Sequence, residues 1–347
     1  MRCLVPRHDD RRVKFKSIEP IFTFKSLFHT VHKKQFDVLV AGELNIDLIL
    51  DKLDQFPVIG KEIMAAEMIY TLGSSSAIFA SNLSTLGVSV NYCGCIGDDS
   101  FGDKIINDLA AKNVNTSNIL RSKTSGTGIT VAFNFNQNRA MVTYAGAMNE
   151  LKQNDITDEM LKQSQHLHVS SVFLQPALKP GLVDLFKRAK QFGLTTSLDP
   201  QWDPSEKWDC DWKNLLPLVD VFLPNIEELK NITQKAKLTD AVAAIKDNTN
   251  IIVVKNSTEG ATAFYKNEVI EQPAFSNHDF ADAIGAGDSF NAGFIRQFIR
   301  DKLLKQCAEL GAVCGAINTT QKGGTAAFKD FETVKKIAKE KFNYTLQ

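Results

Sequence analysis

The sequence lacks the features that mark several large classes of protein. Lys plus Arg equals Asp plus Glu at 40 each, so no net charge favours nucleic acid or an anionic membrane. No apolar run approaches the roughly 18 residues needed to span a bilayer. The six cysteines form no Cys-x-x-Cys pair, which indicates reduced thiols rather than a disulfide framework or a zinc site. We therefore expect a cytoplasmic protein with small-molecule partners, and neither nucleic acid nor membrane among them.

Two further absences concern the N-terminal part of the chain. Residues 1–35 carry basic and acidic side chains but no apolar core of a signal sequence and no small-residue cleavage site, so we do not expect a secretory signal there. We expect them to be a poorly ordered extension before a single domain at 36–347. No Gly-x-Gly-x-x-Gly follows the first strand pattern at 36–42, which disfavours a dinucleotide-binding oxidoreductase.

Buried-type strand patterns alternate with helical patterns through most of the chain. The clearest strand patterns lie at 36–42, 166–170, 195–198, 219–224 and 251–255. This alternation predicts an α/β fold with a doubly wound, mostly parallel sheet flanked by helices. Between them, the runs 130–135 and 140–144 bracket a polar turn and predict a hairpin, which indicates a small additional sheet.

The stretch from Asp282 to Phe290 contains two acidic residues around a glycine-bearing turn, followed by a helical pattern at 291–300. Gly285 and Gly287 allow a ligand to approach the backbone, and the amides at a helix start attract anions. A carboxylate beside a bound phosphate needs a separate task, so Asp288 is interpreted as a general base that accepts a proton from an attacking hydroxyl. The alternative is an ordinary turn before a helix.

The string Asp-x-x-Gly-Ala-Gly-Asp-x-Phe resembles the C-terminal signature of the PfkB, or ribokinase-like, family of carbohydrate kinases. The resemblance covers about residues 36–345. It implies a ribokinase-like fold and ATP- and Mg²⁺-dependent phosphorylation of a primary hydroxyl on a sugar or sugar-like substrate. It also implies that Asp288 is the base and that the backbone amides of Gly285, Ala286 and Gly287 neutralise charge on the transferred phosphoryl group. Asp282 matches the family's monovalent-cation site, where K⁺ is the expected ion.

Polar residues that follow the first strand pattern are candidates for substrate binding. Asn45 and Asp47 lie there, and Asp47 matches the family residue that binds substrate hydroxyls. Gly73 and Ser74 correspond to the family's Gly-Gly loop beside the sugar. Ser74 replaces the second glycine and Ile78 replaces a usual asparagine, so the serines of this loop either contact sugar or only cap the helix. Without the resemblance, Asp47 in a plain turn is an equal alternative.

The nucleotide end of the predicted site rests on three segments. Asn225 and Glu228 match the family's Asn-x-x-Glu element, which holds Mg²⁺ largely through water, although the same spacing is also a capping box. Ser257 and Gly260 match a loop beside the nucleotide, with Ser257 where the family usually has glycine. Asn318 falls in the segment that flanks adenine.

Segments 48–70 and 125–147 match the family's lid, which closes over the sugar and often forms a homodimer interface. Two alternatives to a sugar kinase remain open. A nucleoside kinase of the same fold would need an aromatic or apolar pocket for a base near Asp47. A catalytically weak sugar-binding regulator is suggested by the altered loop at Ser74 and Ile78, although the complete Asp288 motif speaks against it.

Overall fold

The computed structural model describes residues 34–135 and 138–346. The expected N-terminal extension lies outside these residues, apart from its last two positions. Within the described ranges thirteen strands form two sheets. In the same ranges, no helix combines the length and apolar character needed to cross a membrane.

The larger sheet has nine strands in the order β13-β12-β11-β10-β9-β8-β1-β4-β5. Its strands are β1 (Phe36–Ala41), β4 (Val90–Gly97), β5 (Asn115–Ser122), β8 (Ser164–Ser170), β9 (Thr195–Asp199), β10 (Val221–Phe222), β11 (Ile251–Lys255), β12 (Ala261–Tyr265) and β13 (Glu268–Gln272). The seven strands from β11 to β5 are parallel, and β12 and β13 add an antiparallel edge. The predicted doubly wound sheet is confirmed.

Helices cover both faces of this sheet. They are α1 (Ser75–Thr85), α2 (Ser100–Ala111), α3 (Asp158–Lys162), α4 (Leu182–Gln191), α5 (Trp212–Leu215), α6 (Ile226–Thr233), α7 (Leu238–Ile245), α8 (Ala286–Phe298), α9 (Leu304–Asn318) and α10 (Phe331–Phe342). Alternate residues of β1 join opposite cores: Val38 and Val40 belong to one hydrophobic cluster, Leu39 and Ala41 to the other. A strand buried on both faces explains why β1 reads as a continuous apolar run.

The second sheet has four strands in the order β3-β2-β6-β7: β2 (Asn45–Leu53), β3 (Ala65–Leu72), β6 (Gly128–Phe135) and β7 (Asn138–Tyr144). It is built from the two segments in which the sequence predicts a lid. Lys322, in the loop between α9 and α10, joins it to the main domain through Asp51 and Glu67, each 2.6 Å from the Lys322 ammonium. The small sheet therefore lies against the loop that follows α9.

Candidate active site

The candidate site lies where the parallel strands of the large sheet end. In open α/β sheets, ligands bind at the carboxyl ends of the strands, close to the point where strand order reverses. Five neighbouring strands deliver polar side chains there: Glu43 follows β1, Ser170 ends β8, Asp199 ends β9, Asn225 follows β10 and Lys255 ends β11. The start of α8 and the first residues of β2 complete the site.

The glycine-bearing turn passes directly into α8, which begins at Ala286. The prediction that this helix begins at 291 is therefore wrong, because Ala286, Gly287 and Asp288 already form its first turn. The first intrahelical bond runs from the Ser289 amide to the Gly285 carbonyl at 2.9 Å, so the amides of Gly287 and Asp288 have no carbonyl acceptor within the helix. Unpaired amides and a helix dipole are the features that an anion-binding site needs.

Gly285 and Gly287 serve different purposes in this turn. Gly285 has φ +75°, and a Cβ on it would lie 2.7 Å from Gly324 Cα, so neither the conformation nor the space admits another residue. A Cβ on Gly287 would find only the Lys255 ammonium within 4 Å, at 3.7 Å. The space in front of Gly287 is thus open apart from one positive charge, as phosphate binding requires.

Asn318 supports the turn from behind. Its amide donates to the Ile284 carbonyl at 2.6 Å, and its carbonyl accepts from the Ser289 hydroxyl at 3.0 Å. Asn82, on α1, donates to both Ser289 and the Gly324 carbonyl at 2.9 Å. Asn318 is fully buried, so the structure places this expected nucleotide residue beneath the turn, where it fixes the backbone.

Asp288 points into the site from the first turn of α8 and is only 6% exposed. The Gln201 side-chain amide donates to its Oδ1 at 3.1 Å. Burial, followed by the negative charge of Asp199, raises the pKa of Asp288 from its ordinary value of 3.8 to about 7, while Lys255 opposes the shift. A carboxylate with a pKa near neutrality is suited to accept a proton in one step and release it later.

A buried ion pair lies beside Asp288 and was not predicted from the sequence. The Lys255 ammonium is 2.7 Å from Asp199 Oδ2, which also accepts from Asn291 and, at 3.0 Å, from Gln201. Burial lowers the pKa of Lys255, but the charges of Asp199 and Glu228 outweigh this and raise it, so the ammonium stays charged. Gln201, Lys255 and Asn291 are distant from one another in sequence, and they converge on one oxygen of Asp199.

Asn225 and Glu228 form a complete capping box at the start of α6. Asn225 Oδ1 accepts from the Glu228 amide at 2.9 Å, and Glu228 Oε2 accepts from the Asn225 amide at 2.8 Å. The two side chains also meet at 2.6 Å. Burial and then the charge of Asp199 raise the pKa of Glu228 to about 7. The cap is confirmed, and it aims a buried carboxylate towards the same cluster.

The expected sugar-binding residues come together at the start of the small sheet. Asn45 Nδ2 donates to Asp47 Oδ1 at 3.1 Å and to the Thr130 hydroxyl at 2.8 Å. A Cβ on Gly73 would lie 2.2 Å from Asp47 Oδ1, so glycine is needed to admit the carboxylate. These contacts across β2, β6 and the loop before α1 fix the orientation of Asp47.

Ser74 is the N-cap of α1. Its hydroxyl accepts from the Ala77 amide at 3.1 Å and donates to the Glu43 carbonyl at 2.6 Å. The capping alternative is therefore present, and a sugar contact of Ser74 stays a prediction. Ile78 packs on the glycine turn and on the loop after α9, since a Cβ on Gly285 would lie 3.1 Å from Ile78 Cγ2 and one on Gly324 would lie 2.3 Å from Ile78 Cδ1. The departure at Ile78 thus occupies space against the backbone of the turn.

The remaining predicted residues lie around the rim of the site. Ser257 is exposed and has φ +46°, a left-handed conformation that explains why the family prefers glycine there. Gly260 has φ +100° and faces the Gln272 carbonyl. Asp282 accepts from the amides of Ile284 at 3.0 Å and Gly323 at 3.2 Å. Asp282 therefore ties the glycine turn to the loop after α9.

The cluster has more negative than positive charge. Asp199, Glu228 and Asp288 surround one ammonium, that of Lys255, and the pKa values of Glu228 and Asp288 are both raised. Such a site favours an added cation. No group of three His, Cys, Asp or Glu side chains in the described part of the chain is arranged to hold a metal directly. The donors present therefore fit Mg²⁺ that keeps much of its water.

His166 and His168 are not part of the site. Both are fully buried, and their ring nitrogens lie 2.7–2.8 Å from hydroxyls of Thr195, Ser197 and Ser170. Burial lowers the pKa of His166 to about 3. They are therefore hydrogen-bonded core histidines.

The model of the pfkB family of carbohydrate kinases matches residues 35–330. The chain belongs to this family. It is accordingly a kinase, a phosphotransferase with an alcohol group as acceptor. The match includes the strands, the small sheet and the Asp288 turn, so the family prediction made from the Asp-x-x-Gly-Ala-Gly-Asp-x-Phe motif is confirmed.

Relatives within the family act on different substrates. The chain is 26% identical to an ATP-dependent ribose-1-phosphate kinase of Halopiger xanaduensis, over 84% of this chain and 94% of the relative. It is 23% identical to a nucleoside kinase of Methanothermobacter thermautotrophicus, over 87% of this chain and 95% of the relative. A ribokinase-like protein of E. coli, solved with ATP and Mg²⁺, has TM-score 0.75 at 21% identity, with 88% of this chain and 99% of that one covered. The fold is thus ribokinase-like.

Proposed function

We propose that this kinase transfers the γ-phosphoryl group of ATP to a primary hydroxyl of a sugar or sugar-like substrate. The observation that carries the proposal is the position of Asp288, buried and with a pKa near 7, in the first turn of α8 beside two unpaired amides. This arrangement supports a base and an anion site within one turn of helix, which is what in-line phosphoryl transfer requires.

In the proposed reaction Asp288 accepts the proton of the attacking hydroxyl as the oxygen–phosphorus bond forms. The amides of Gly287 and Asp288 stabilise the charge on the transferred group, and Lys255 adds a positive charge beside Gly287. The phosphoryl group leaves ADP and ends on the substrate oxygen. Because Asp288 sits next to the anion site, the hydroxyl and the phosphoryl group are held in contact before reaction.

At the substrate end, Asp47 is the proposed acceptor for hydroxyls of the sugar. Asn45 and Gly73 hold its carboxylate in one orientation, and such preorganisation favours ligands that present paired hydroxyl groups. The small sheet that carries Asp47 is the proposed lid. Its contact through Lys322 with the loop after α9 supports a connection between lid position and the nucleotide end.

At the nucleotide end, Asn225 and Glu228 would hold Mg²⁺ through its water shell. When bound, Mg²⁺ neutralises charge on the phosphates. Ser257, Gly260 and the loop after α9 are the proposed walls of the nucleotide site. A monovalent cation, with K⁺ expected, would sit near Asp282, where that carboxylate joins Ile284 to Gly323.

The substrate is identified by screening purified protein with ATP and Mg²⁺ against sugars, sugar phosphates and nucleosides. We expect phosphorylation of at least one sugar-like hydroxyl compound. Preference for nucleosides over all sugars would replace the proposal with the nucleoside kinase alternative, which the Methanothermobacter relative supports. Binding of sugars without phosphorylation would instead favour a sugar-binding regulator.

We also propose that the outer face of the small sheet forms a homodimer interface. One row of paired residues crosses all four strands on this face and is apolar throughout: Tyr70, Leu48, Val131 and Val142. Nearby Met68 and Tyr144 are 66% and 57% exposed. An exposed apolar sheet face of this kind is typical of an interaction surface.

A further inference from the structure

Gln201 lies just beyond the end of β9, between two acidic side chains of the site. Its Nε2 is 3.0 Å from Asp199 Oδ2 and 3.1 Å from Asp288 Oδ1. A side-chain amide nitrogen has two hydrogens, so one can be given to each carboxylate. Gln201 is therefore a bridge that links the proposed base to the carboxylate of the buried ion pair.

The bridge is firmly anchored on the Asp199 side. Asp199 is completely buried, and its Oδ2 also accepts from Lys255 at 2.7 Å and from Asn291. Lys255 ends β11 and Asn291 lies on α8, so two elements other than β9 hold this oxygen. Because Asp199 cannot move independently, the amide of Gln201 has a defined position relative to Asp288.

The backbone of Gln201 is in a conformation that residues other than glycine seldom adopt. Its φ is +59°, in the left-handed region, where strain in a non-glycine residue often accompanies a functional constraint. Glycine would relieve that strain but would remove the amide. The presence of glutamine at this position is explained if the side chain itself is needed.

We propose that Gln201 is a positioning residue for the general base. By donating to Oδ1 of Asp288, it leaves the other oxygen of the carboxylate to accept the proton of the substrate hydroxyl. Catalytic bases are commonly oriented in this way by a further side chain that hydrogen-bonds to them. This inference rests on the proposed function, because it assigns to Asp288 the role of base.

The charged groups that face Asp288 come from several elements. They are Asp199 at the end of β9, Lys255 at the end of β11, Glu43 after β1 and Glu228 on α6. The hydroxyl of Ser75, at the start of α1, also stabilises the ionised form of Asp288 and lowers its pKa. Three of these four groups are acidic and oppose ionisation of Asp288. The Gln201 amide donates to the Asp288 carboxylate and so favours its ionised form, and loss of this donor should raise the pKa of Asp288 further.

The deciding variants are Gln201→Met, which has similar length but no amide, and Gln201→Gly, which also removes the backbone strain. The matched controls are Gln234→Met and Gln234→Gly, because Gln234 is an exposed glutamine at the end of α6 with φ +55°. Thermal unfolding confirms that each variant is folded. The kcat and the KM for ATP are then measured across pH, with the substrate from the screen.

Both Gln201 variants should lose at least about fivefold in kcat, towards the ~10²-fold that a misplacement of about 1 Å can cost. Their KM for ATP should stay near that of the parent, and the acid limb of the kcat profile of Gln201→Met should move to higher pH. The Gln234 variants should match the parent. A loss of less than about fivefold in either folded Gln201 variant would overturn the inference.

A measurement of the Asp288 pKa, which needs no catalysis, separates this inference from the proposed function. The carboxyl carbon of Asp288 can be titrated by NMR and assigned through its absence in Asp288→Asn. If the parent phosphorylates nothing, the proposed function fails, and the titration alone decides the inference. A higher titration midpoint in Gln201→Met than in the parent supports the bridge, and an unchanged midpoint contradicts it.

Discussion

The protonation states of single residues in this site are set by burial together with the neighbouring charges. Lys255 stays charged because Asp199 lies 2.7 Å away, whereas Asp288 and Glu228 have pKa values near 7. Buried carboxylates of this kind destabilise the fold when they ionise. The ionised carboxylates therefore lower the stability of the fold at neutral pH, and the proposed base, Asp288, titrates in this range.

The stability of the Asp288→Asn variant tests this cost. The folded-state pKa of Asp288 is about 7, above the ordinary 3.8, so the folded protein retains a proton that the unfolded chain releases. The stabilisation from this retained proton is complete below the ordinary pKa of 3.8 and is lost as the pH rises through the folded-state pKa of about 7. Asparagine cannot ionise, so the gain in melting temperature over the parent should be larger at about pH 8 than at about pH 5. Equal differences at both pH values would refute the shifted pKa.

Asp47→Ala tests the substrate end. Asn45 and Gly73 fix the Asp47 carboxylate, and its loss leaves substrate hydroxyls poorly paired. The KM for the phosphate acceptor should rise at least about tenfold, equivalent to roughly 1.4 kcal/mol, while the KM for ATP changes little. Asp51→Ala, in the same strand but bonded to Lys322, is the control for damage to the small sheet. Equal effects on both substrates would remove Asp47 from the acceptor site.

At the scale of elements, much of the fold could be predicted because local pattern determines it. Strand β11 has the bounds of its apolar pattern, Ile251–Lys255, and the hairpin of β6 and β7 follows its alternating pattern. The start of α8 was placed too late because glycine disfavours helix, although at Gly287 the space in front of the amide is open, as the proposed anion site needs. Local propensity and function disagree there.

The residues that sequence reasoning missed are those joined only through the tertiary fold. Gln201, Lys255 and Asn291 meet at Asp199, although they lie beyond the end of β9, on β11 and on α8, respectively. Gln201 is only two residues from Asp199, but no spacing along the chain encodes the contacts of Lys255 and Asn291 with Asp199, or of Gln201 with Asp288. Asn82 was missed for a related reason: it lies one helical turn after Ile78, and only the packing of α1 on α8 brings it to Ser289. The signal in the sequence that pointed to these residues was that the strand patterns end in polar residues, such as Asp199 and Lys255.

The capping box of α6 gives a prediction at the scale of an element. Glu228→Gln can still accept from the Asn225 amide, so the cap and the melting temperature should be kept within about 1 kcal/mol of stability. The variant has lost the carboxylate charge, so half-maximal rate should require a higher Mg²⁺ concentration. Glu227→Gln, whose side chain is exposed and bonded to Lys230, is the control. A lower melting temperature with unchanged Mg²⁺ dependence would assign Glu228 to the cap alone.

At the scale of the whole molecule, the small sheet has one buried end at the site, at residues 45–47, and an exposed apolar outer face. Val142 is 65% exposed on that face, on the edge strand β7, so Val142→Lys should prevent association of two copies without disturbing the main core. Sedimentation velocity should give a dimer for the parent and a monomer for the variant. Lys305, on the distant helix α9, can be changed to Glu as a control. A monomeric parent at concentrations well above those of the assay would contradict the interface.

The proposed mechanism requires Asp288 to be the base. In Asp288→Asn the side chain keeps its volume, and the repulsion between the carboxylate and the phosphates is gone, so the Kd for ATP should hold or decrease. The kcat should fall by about 10²- to 10⁴-fold, the usual contribution of a positioned base.

The most direct test is therefore the kcat of Asp288→Asn on the substrate that the screen identifies, measured together with the Kd for ATP. We predict a loss of at least about 10²-fold in kcat with ATP binding intact. A folded variant that binds ATP and retains more than about a tenth of the parental kcat would contradict the assignment of Asp288 as the base.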